Sequence, residues 1–238
     1  MKKINNLNIK IFADGANKKD MLEMNSKSYI RGFTTNPTLM RKEGITDYEK
    51  FCKDILKIIL QKPISFEVFS DDFEEMAIQA RKISSWGNNV YVKIPVTNTK
   101  QETCYRVVEK LSKDKIKLNI TAIMTLKQVK EIASVLQSDI PSYVSVFAGR
   151  IADTGVDPEP VMLQAVTILK SLSAAELIWA SPRELFNIFQ ANRVGCQVIT
   201  VTKDILKKLD LIDYDLNTYS LDTVKMFYTD AVDAGFKL

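Results

Sequence analysis

The chain has 238 residues, 46% of them hydrophobic and 26% charged, and its 33 basic and 29 acidic residues leave a net charge of +4. That balance, with the basic residues scattered along the chain, argues against a nucleic-acid or membrane-binding protein and fits an ordinary folded domain. The sequence contains no histidine, which excludes Ser-His triads, imidazole bases and most zinc sites and leaves catalysis to Lys, Asp, Glu, Tyr or Cys.

In chain order, the first eight residues carry no apolar run long enough for a signal peptide. Two strands are predicted next, Ile9–Asp14 and Gly32–Asn36. A helix over Tyr48–Leu60 leads to a strand at Ile64–Val68, and a helix over Phe73–Ser84 to a strand at Val90–Pro95. The pattern repeats with helix Glu102–Leu111 and strand Lys117–Ala122, then helix Leu126–Leu136 and strand Tyr143–Ala148. It closes with helix Glu159–Leu172, strand Leu177–Ser181, helix Arg183–Ala191 and strand Gln197–Thr202. A last helix, Leu221–Ala234, is expected to pack across a barrel end or onto a neighbouring subunit.

Strand–helix units recurring every roughly 20–30 residues predict the α/β class and a parallel (β/α)₈ TIM barrel with an additional C-terminal helix. Barrels of this kind use about 200–250 residues as one unit, so residues 1–238 are read as one domain. No Gly-rich phosphate loop follows the first strand, which counts against a dinucleotide-binding fold. No run approaches the ~20 apolar residues of a membrane span. Cys52, Cys104 and Cys196 are far apart, without metal-ligand spacing. They are expected to be free, buried thiols of a cytoplasmic protein.

Alternation along the strands sorts their residues into two faces. Val90, Val92 and Ile94 share one face, and Lys93 lies on the other with Tyr91 and Pro95. Glu67 and Ser65 oppose Phe66 and Val68; Asn119 and Thr121 oppose Leu118, Ile120 and Ala122; Ser145 and Phe147 oppose Val144, Val146 and Ala148. If the apolar faces lie under the helices, Lys93, Glu67, Asn119, Thr121 and Ser145 converge inside the barrel. A lysine in a strand is commonly a gatekeeper on an exposed edge, but a closed barrel has no edge to guard. Converging buried polar groups must satisfy one another or a substrate. Burial disfavours an ammonium and favours a free, nucleophilic amine able to attack a carbonyl. With no histidine present, Glu67 and Asp14 are the candidate acid–base groups. Arg150 and Arg183, each at the end of a late strand, with Ser181 near a helix start, form a candidate phosphate clamp.

Four segments then resemble the transaldolase family, in particular its short-chain branch, which also holds the fructose-6-phosphate aldolases. They are Gly32-Phe33-Thr34-Thr35-Asn36-Pro37-Thr38, Val92-Lys93-Ile94-Pro95-Val96-Thr97, Leu118-Asn119-Ile120-Thr121 and Phe147-Ala148-Gly149-Arg150-Ile151. The tail around Thr223-Val224-Lys225-Met226-Phe227 is similar as well.

The resemblance implies Lys93 as the Schiff-base lysine, Asp14 as the base for carbon–carbon cleavage, and Glu67 with Thr121 holding a catalytic water. It implies Asn36, Asn119 and Ser145 as ligands of the dihydroxyacetone hydroxyls, and Arg150, Ser181 and Arg183 as the phosphate site. Glu67 and Phe147 are the combination that resembles true transaldolases; the aldolases resemble one another in carrying glutamine and tyrosine there. Gly15-Ala16 after Asp14, and Pro182 between the serine and the arginine, depart from the family pattern beside the sugar and phosphate.

The implied enzyme is a transferase of carbohydrate metabolism, in the pentose phosphate pathway, acting on sugar phosphates without a metal or organic cofactor. Its alternatives are a lyase of the fructose-6-phosphate aldolase type and a transaldolase for an unusual biosynthetic sugar. The resemblance also implies a homo-oligomer, with pentamers and decamers among the forms.

Overall fold

Strands with one apolar face and one mixed face need a helix layer outside and a filled interior, and closing the sheet on itself supplies both. In the computed structural model, which describes Ile4 and residues 7–238, eight parallel strands close a barrel in sequence order. Residues 1–3, 5 and 6, on which the expectation about a signal peptide falls, lie outside the described residues.

The strands are β1 (Lys10–Asp14), β2 (Ile30–Thr34), β3 (Ile64–Glu67), β4 (Val90–Pro95), β5 (Leu118–Ile123), β6 (Ser142–Val146), β7 (Ala175–Trp179) and β8 (Val198–Thr202). The helices are α1 (Lys18–Asn25), α2 (Pro37–Lys42), α3 (Tyr48–Leu56), α4 (Phe73–Ser84), α5 (Tyr105–Lys113) and α6 (Leu126–Val135). They continue with α7 (Ala148–Asp153), α8 (Glu159–Leu169), α9 (Phe186–Arg193), α10 (Lys203–Leu206) and, after a 3₁₀ turn at Lys207–Leu211, α11 (Leu216–Asp233).

The faces divide as the alternation predicts. Phe66, Val90, Val92, Ile94, Leu118, Ile120, Val144 and Val146 are buried in the main core beneath the helices. Phe12, Tyr143, Ile178 and Val198 form a second, interior cluster, with Tyr91 and Phe147 packed on it. Its aromatic rings interlock: Tyr91 and Tyr143 lie 4.4 Å apart, and Phe12 meets Tyr143 edge-on at 5.4 Å. Each such pair adds about 0.5–1.5 kcal/mol beyond its buried area. Gly32 makes room for this floor, because a Cβ there would come within 2.5 Å of the Phe12 ring. The aromatic floor blocks the barrel below and leaves the polar inward residues above it.

Several boundaries differ from the sequence reading, each for a local reason. β2 ends at Thr34 because Asn36 turns to cap α2, accepting from Leu39 N–H at 2.9 Å, with Pro37 in the first turn. The helix expected from Arg183 starts at Phe186, since the Arg183 and Glu184 amides both donate to the Asn187 side chain. The helix expected from Glu102 starts at Tyr105, because Glu102 is held in a turn by Asn98. Ala122, assigned to the apolar face of β5, instead takes a left-handed backbone, φ 61°, where the β5–β6 register shifts. The last helix begins at Leu216, capped by Asp215, five residues before the expected start. None of its residues is buried, so it does not pack across an end of its own barrel. The three cysteines are free and buried as expected, and burial pushes Cys104 and Cys196 up to about 12. Among the described residues, no helix is long and apolar enough to cross a membrane.

Candidate active site

A cavity of about 570 Å³ lies at the carboxyl ends of the strands, where barrels build their sites. Asp14, Asn36, Glu67, Lys93, Thr121, Ser145, Phe147, Arg150, Ser181 and Arg183 all line it. Of the predicted residues, Asn119 does not; it is fully buried beneath.

Lys93 is only 7% exposed. Its register partner across β3–β4 is Glu67, and the parallel pairing carries both side chains inward together. The Lys93 Nζ lies 3.0 Å from Glu67 Oε2 and donates to the Thr35 carbonyl at 2.9 Å. A buried ammonium is costly unless paired and hydrogen-bonded, and here it is both. Asp14, at the end of β1, accepts from the Thr34 hydroxyl at 2.7 Å, and Thr34 is in turn hydrogen-bonded to Thr200 on β8. Burial raises the Asp14 pKa above the ordinary carboxylate value; the Lys93 charge and the Thr34 bond pull against it, and Glu67 adds to the rise.

On the opposite wall the Thr121 hydroxyl is buried and has no hydrogen-bond partner among the described residues. The next residue is Ala122, whose left-handed backbone brings it to the cavity wall. Strained backbone of this kind concentrates where a side chain must be aimed. Asn119 donates to Ser65 at 3.0 Å and accepts from the Ser145 hydroxyl at 2.7 Å, which fixes Ser145 at the cavity surface. Asn36 spends its amide oxygen on the α2 cap, so its amide NH₂ is the part left for a ligand.

The rim is cationic. Arg150, on the first turns of α7, is exposed at the cavity edge. Arg183 is held by Asp153 through two hydrogen bonds, one of them from Nε at 2.9 Å. Ser181 takes a left-handed backbone, φ 60°, and its carbonyl lies against Gly149 so closely that a Cβ there would come within 1.6 Å of it. Gly149 is thus what lets the Arg150 and Arg183 loops approach. Ser181 lies five residues before α9 begins, so the start of α9 does not contribute to this rim, against the expectation that Ser181 sits near a helix start.

Thr34, Thr200 and Lys42 also line the cavity and were not singled out in the sequence. Thr34 sits in a quoted motif, and strand parity places it inward beside Asp14; Lys42, at the end of α2, gives no comparable signal. A second cavity, about 420 Å³, adjoins the first through Asp14, Leu39 and Lys42, but Lys93 lines only the first.

Residues 11–237 match the family model described as Transaldolase/Fructose-6-phosphate aldolase. A probable transaldolase of Thermoanaerobacter sp. (strain X514) is 34% identical over 97% of this chain and 100% of its own length. One from Methanococcus maripaludis (strain C7) is 34% identical over 84% of this chain and 89% of its own. Among solved structures, a 3-keto-L-gulonate-6-phosphate decarboxylase from Vibrio cholerae superposes with a TM-score of 0.56 at 15% identity, covering 82% of this chain and 87% of that one. A dihydrodipicolinate synthase from Rhodopseudomonas palustris gives 0.58 at 12% identity, covering 81% and 69%. At those identities the two structures speak for the barrel alone.

Proposed function

The chain belongs to the transaldolase/fructose-6-phosphate aldolase family, and on that premise we propose that it is a transaldolase working through an imine on Lys93. It moves a dihydroxyacetone unit from a ketose phosphate, fructose 6-phosphate or sedoheptulose 7-phosphate, to an aldose phosphate. The observation that carries this reading is the Lys93 amine, buried, 3.0 Å from a carboxylate, and facing a cavity with cationic residues at its rim.

In the proposed sequence a proton passes from Lys93 to Glu67, and the freed amine attacks the ketone carbon. Glu67 returns a proton to the hydroxyl that leaves as water, and Glu67 and the unpartnered Thr121 hydroxyl hold that water. Asp14 takes the proton from the C4 hydroxyl as the C3–C4 bond breaks. The electron pair runs into the imine, which acts as electron sink, and the aldose phosphate leaves. The same steps in reverse, with a second aldose phosphate, form the product, and water then hydrolyses the imine. Ser145, set by Asn119, and the Asn36 amide hold the hydroxyls of the three-carbon unit. Arg150, with Arg183 oriented by Asp153 and with Ser181, takes the phosphate. Buried, unreactive thiols suit a reducing compartment, and we place the enzyme in the cytoplasm.

Intact mass spectrometry after incubation with fructose 6-phosphate and borohydride tests the reading. A three-carbon adduct is expected on the native chain and not on the Lys93→Met variant. An adduct that persists on the variant, or none with any ketose phosphate, overturns it. Measuring free dihydroxyacetone without an acceptor separates transfer from the lyase alternative, which requires continuous release.

A further inference from the structure

Residues along a parallel strand direct their backbone groups alternately to its two neighbours. Just beyond β3, Val68 N–H donates to the Lys93 carbonyl of β4 at 3.1 Å, and on β3 the Ser65 carbonyl accepts from Thr35 N–H, just beyond β2, at 3.2 Å. The amide and carbonyl of Glu67 therefore face the β2 side. The β2–β3 pairing ends at Thr34 and Ser65, and the chain has turned into α2 by Pro37, so among the described residues no strand pairs with Glu67 on that side.

The phenol of Tyr48 takes the missing strand's place. Its hydroxyl donates to the Glu67 carbonyl at 2.7 Å and accepts from the Glu67 N–H at 2.9 Å. A hydroxyl, with one proton and two lone pairs, can serve both partners at once. Burial pushes the phenol's pKa up, so it keeps the proton it donates. The ring is fixed edge-on to Phe69 at 5.3 Å and against Trp86 at 6.3 Å, and Trp86 packs in turn on Phe66 of β3 at 6.2 Å. Tyr48 opens α3, whose start is held by Asp47 accepting from Lys50 N–H at 2.9 Å. One oxygen thus ties a capped helix to the backbone of the residue whose carboxylate meets Lys93.

We propose that Tyr48 is a positioning residue for the imine steps: its hydroxyl clasps the Glu67 backbone and so holds the Glu67 carboxylate in reach of the Lys93 amine, without touching substrate. The proposal rests on the reading that Glu67 moves protons for Lys93. Tyr48→Phe removes the hydroxyl and keeps the ring. Its kcat is expected to fall about tenfold or more, with KM for fructose 6-phosphate changing by no more than about twofold. In single turnover, the borohydride-trapped adduct should form more slowly by the same factor.

The deciding measurement is a double-mutant cycle with Glu67→Gln. If Tyr48 acts through Glu67, Tyr48→Phe costs nothing further in the Glu67→Gln background. Losses that simply multiply would mean a separate structural role and overturn the proposal. So would a native adduct rate in Tyr48→Phe beside a slow Glu67→Gln, which leaves the reading of Glu67 standing. A native rate in Glu67→Gln would instead remove that reading, and this proposal with it. Should Tyr48→Phe fail to fold, Phe69→Ala carries the test, because that ring is 64% exposed and braces Tyr48 from outside. The same loss in kcat, smaller in size, is expected; an unchanged kcat overturns the proposal.

Discussion

A carboxylate that must draw a proton from a sugar hydroxyl gains basicity as it loses solvent, provided that it still ionises. Asp14, the proposed base, is held at that point: burial raises its pKa, while Lys93 and the Thr34 hydroxyl keep the anion from becoming too costly. Activity that needs the Asp14 anion is therefore lost, as pH falls, at a higher pH than an ordinary carboxylate near 3.8 would give. The acid limb of kcat/KM reports this, and its disappearance in Asp14→Asn, at a residual rate about 10²–10⁴-fold lower, assigns it. Stability moves the other way. The folded chain holds the Asp14 proton more tightly than the unfolded chain, so this group lowers stability as pH rises from 3.8 through the raised folded value. Asp14→Asn removes that cost, and its melting temperature at neutral pH is expected to equal or exceed the native one. A clear drop would show that the anion stabilises the fold. Strand parity makes Lys93 and Glu67 legible as inward partners, because the period is fixed by the backbone. Contacts that join different strands or a helix to a strand, such as Thr34 to Thr200 or Tyr48 to Glu67, have no such period to betray them.

The rim depends on two loops meeting, and that meeting is a property of elements. α7 follows β6 directly and the chain after β7 lies against it, with the Ser181 carbonyl on Gly149. Gly149→Ala forces these backbones apart, since no side chain can yield in their place. Overpacking of this kind costs about 1–3 kcal/mol, which should lower the melting temperature by several degrees. It should also raise KM for fructose 6-phosphate more than it lowers kcat, because Arg150 and Arg183 separate while Lys93 and Glu67 stay in register. Thermal melts and steady-state kinetics check both, and an unchanged KM would mean that this rim does not hold the phosphate. The core strands and the helices from α3 to α6 and α8 are readable because each repeats a buried face over two turns or more. α1, α2, α7 and α10 escaped because they are short, at four to eight residues; α1 and α2 take their starts from the Asn17 and Asn36 caps, and α7 and α10 have no capping side chain to mark them. β7 was displaced by two residues for a related reason: Ala175 and Glu176 lie in the ladder against β6, but their side chains give no apolar signal.

At the scale of the whole molecule, α11 is out of balance with the rest. It is an 18-residue helix with no buried residue, and Leu221, Val224, Phe227, Tyr228 and Val232 are all more than half exposed. Most helical stability in proteins comes from packing an apolar face rather than from propensity, and an exposed apolar surface of this kind marks an interaction site. Its own barrel does not take it, although the sequence left that open beside a neighbouring subunit. The expectation that remains is a second copy of the chain, which turns each exposed α11 into part of an interface. Light scattering should then give a mass that is a multiple of 27.0 kDa. Val224→Asp combined with Phe227→Asp places charge on the apolar surface without touching the barrel. The variant should shift toward monomer and melt lower, while its circular dichroism keeps the signature of the barrel. No residue of α11 lines the cavity, so the borohydride adduct on Lys93 should still form in the variant. A native protein that runs as a monomer at micromolar concentration would refute the assembly. Loss of the adduct on dissociation would show instead that the barrel needs its neighbour to hold Lys93 and Glu67 in place.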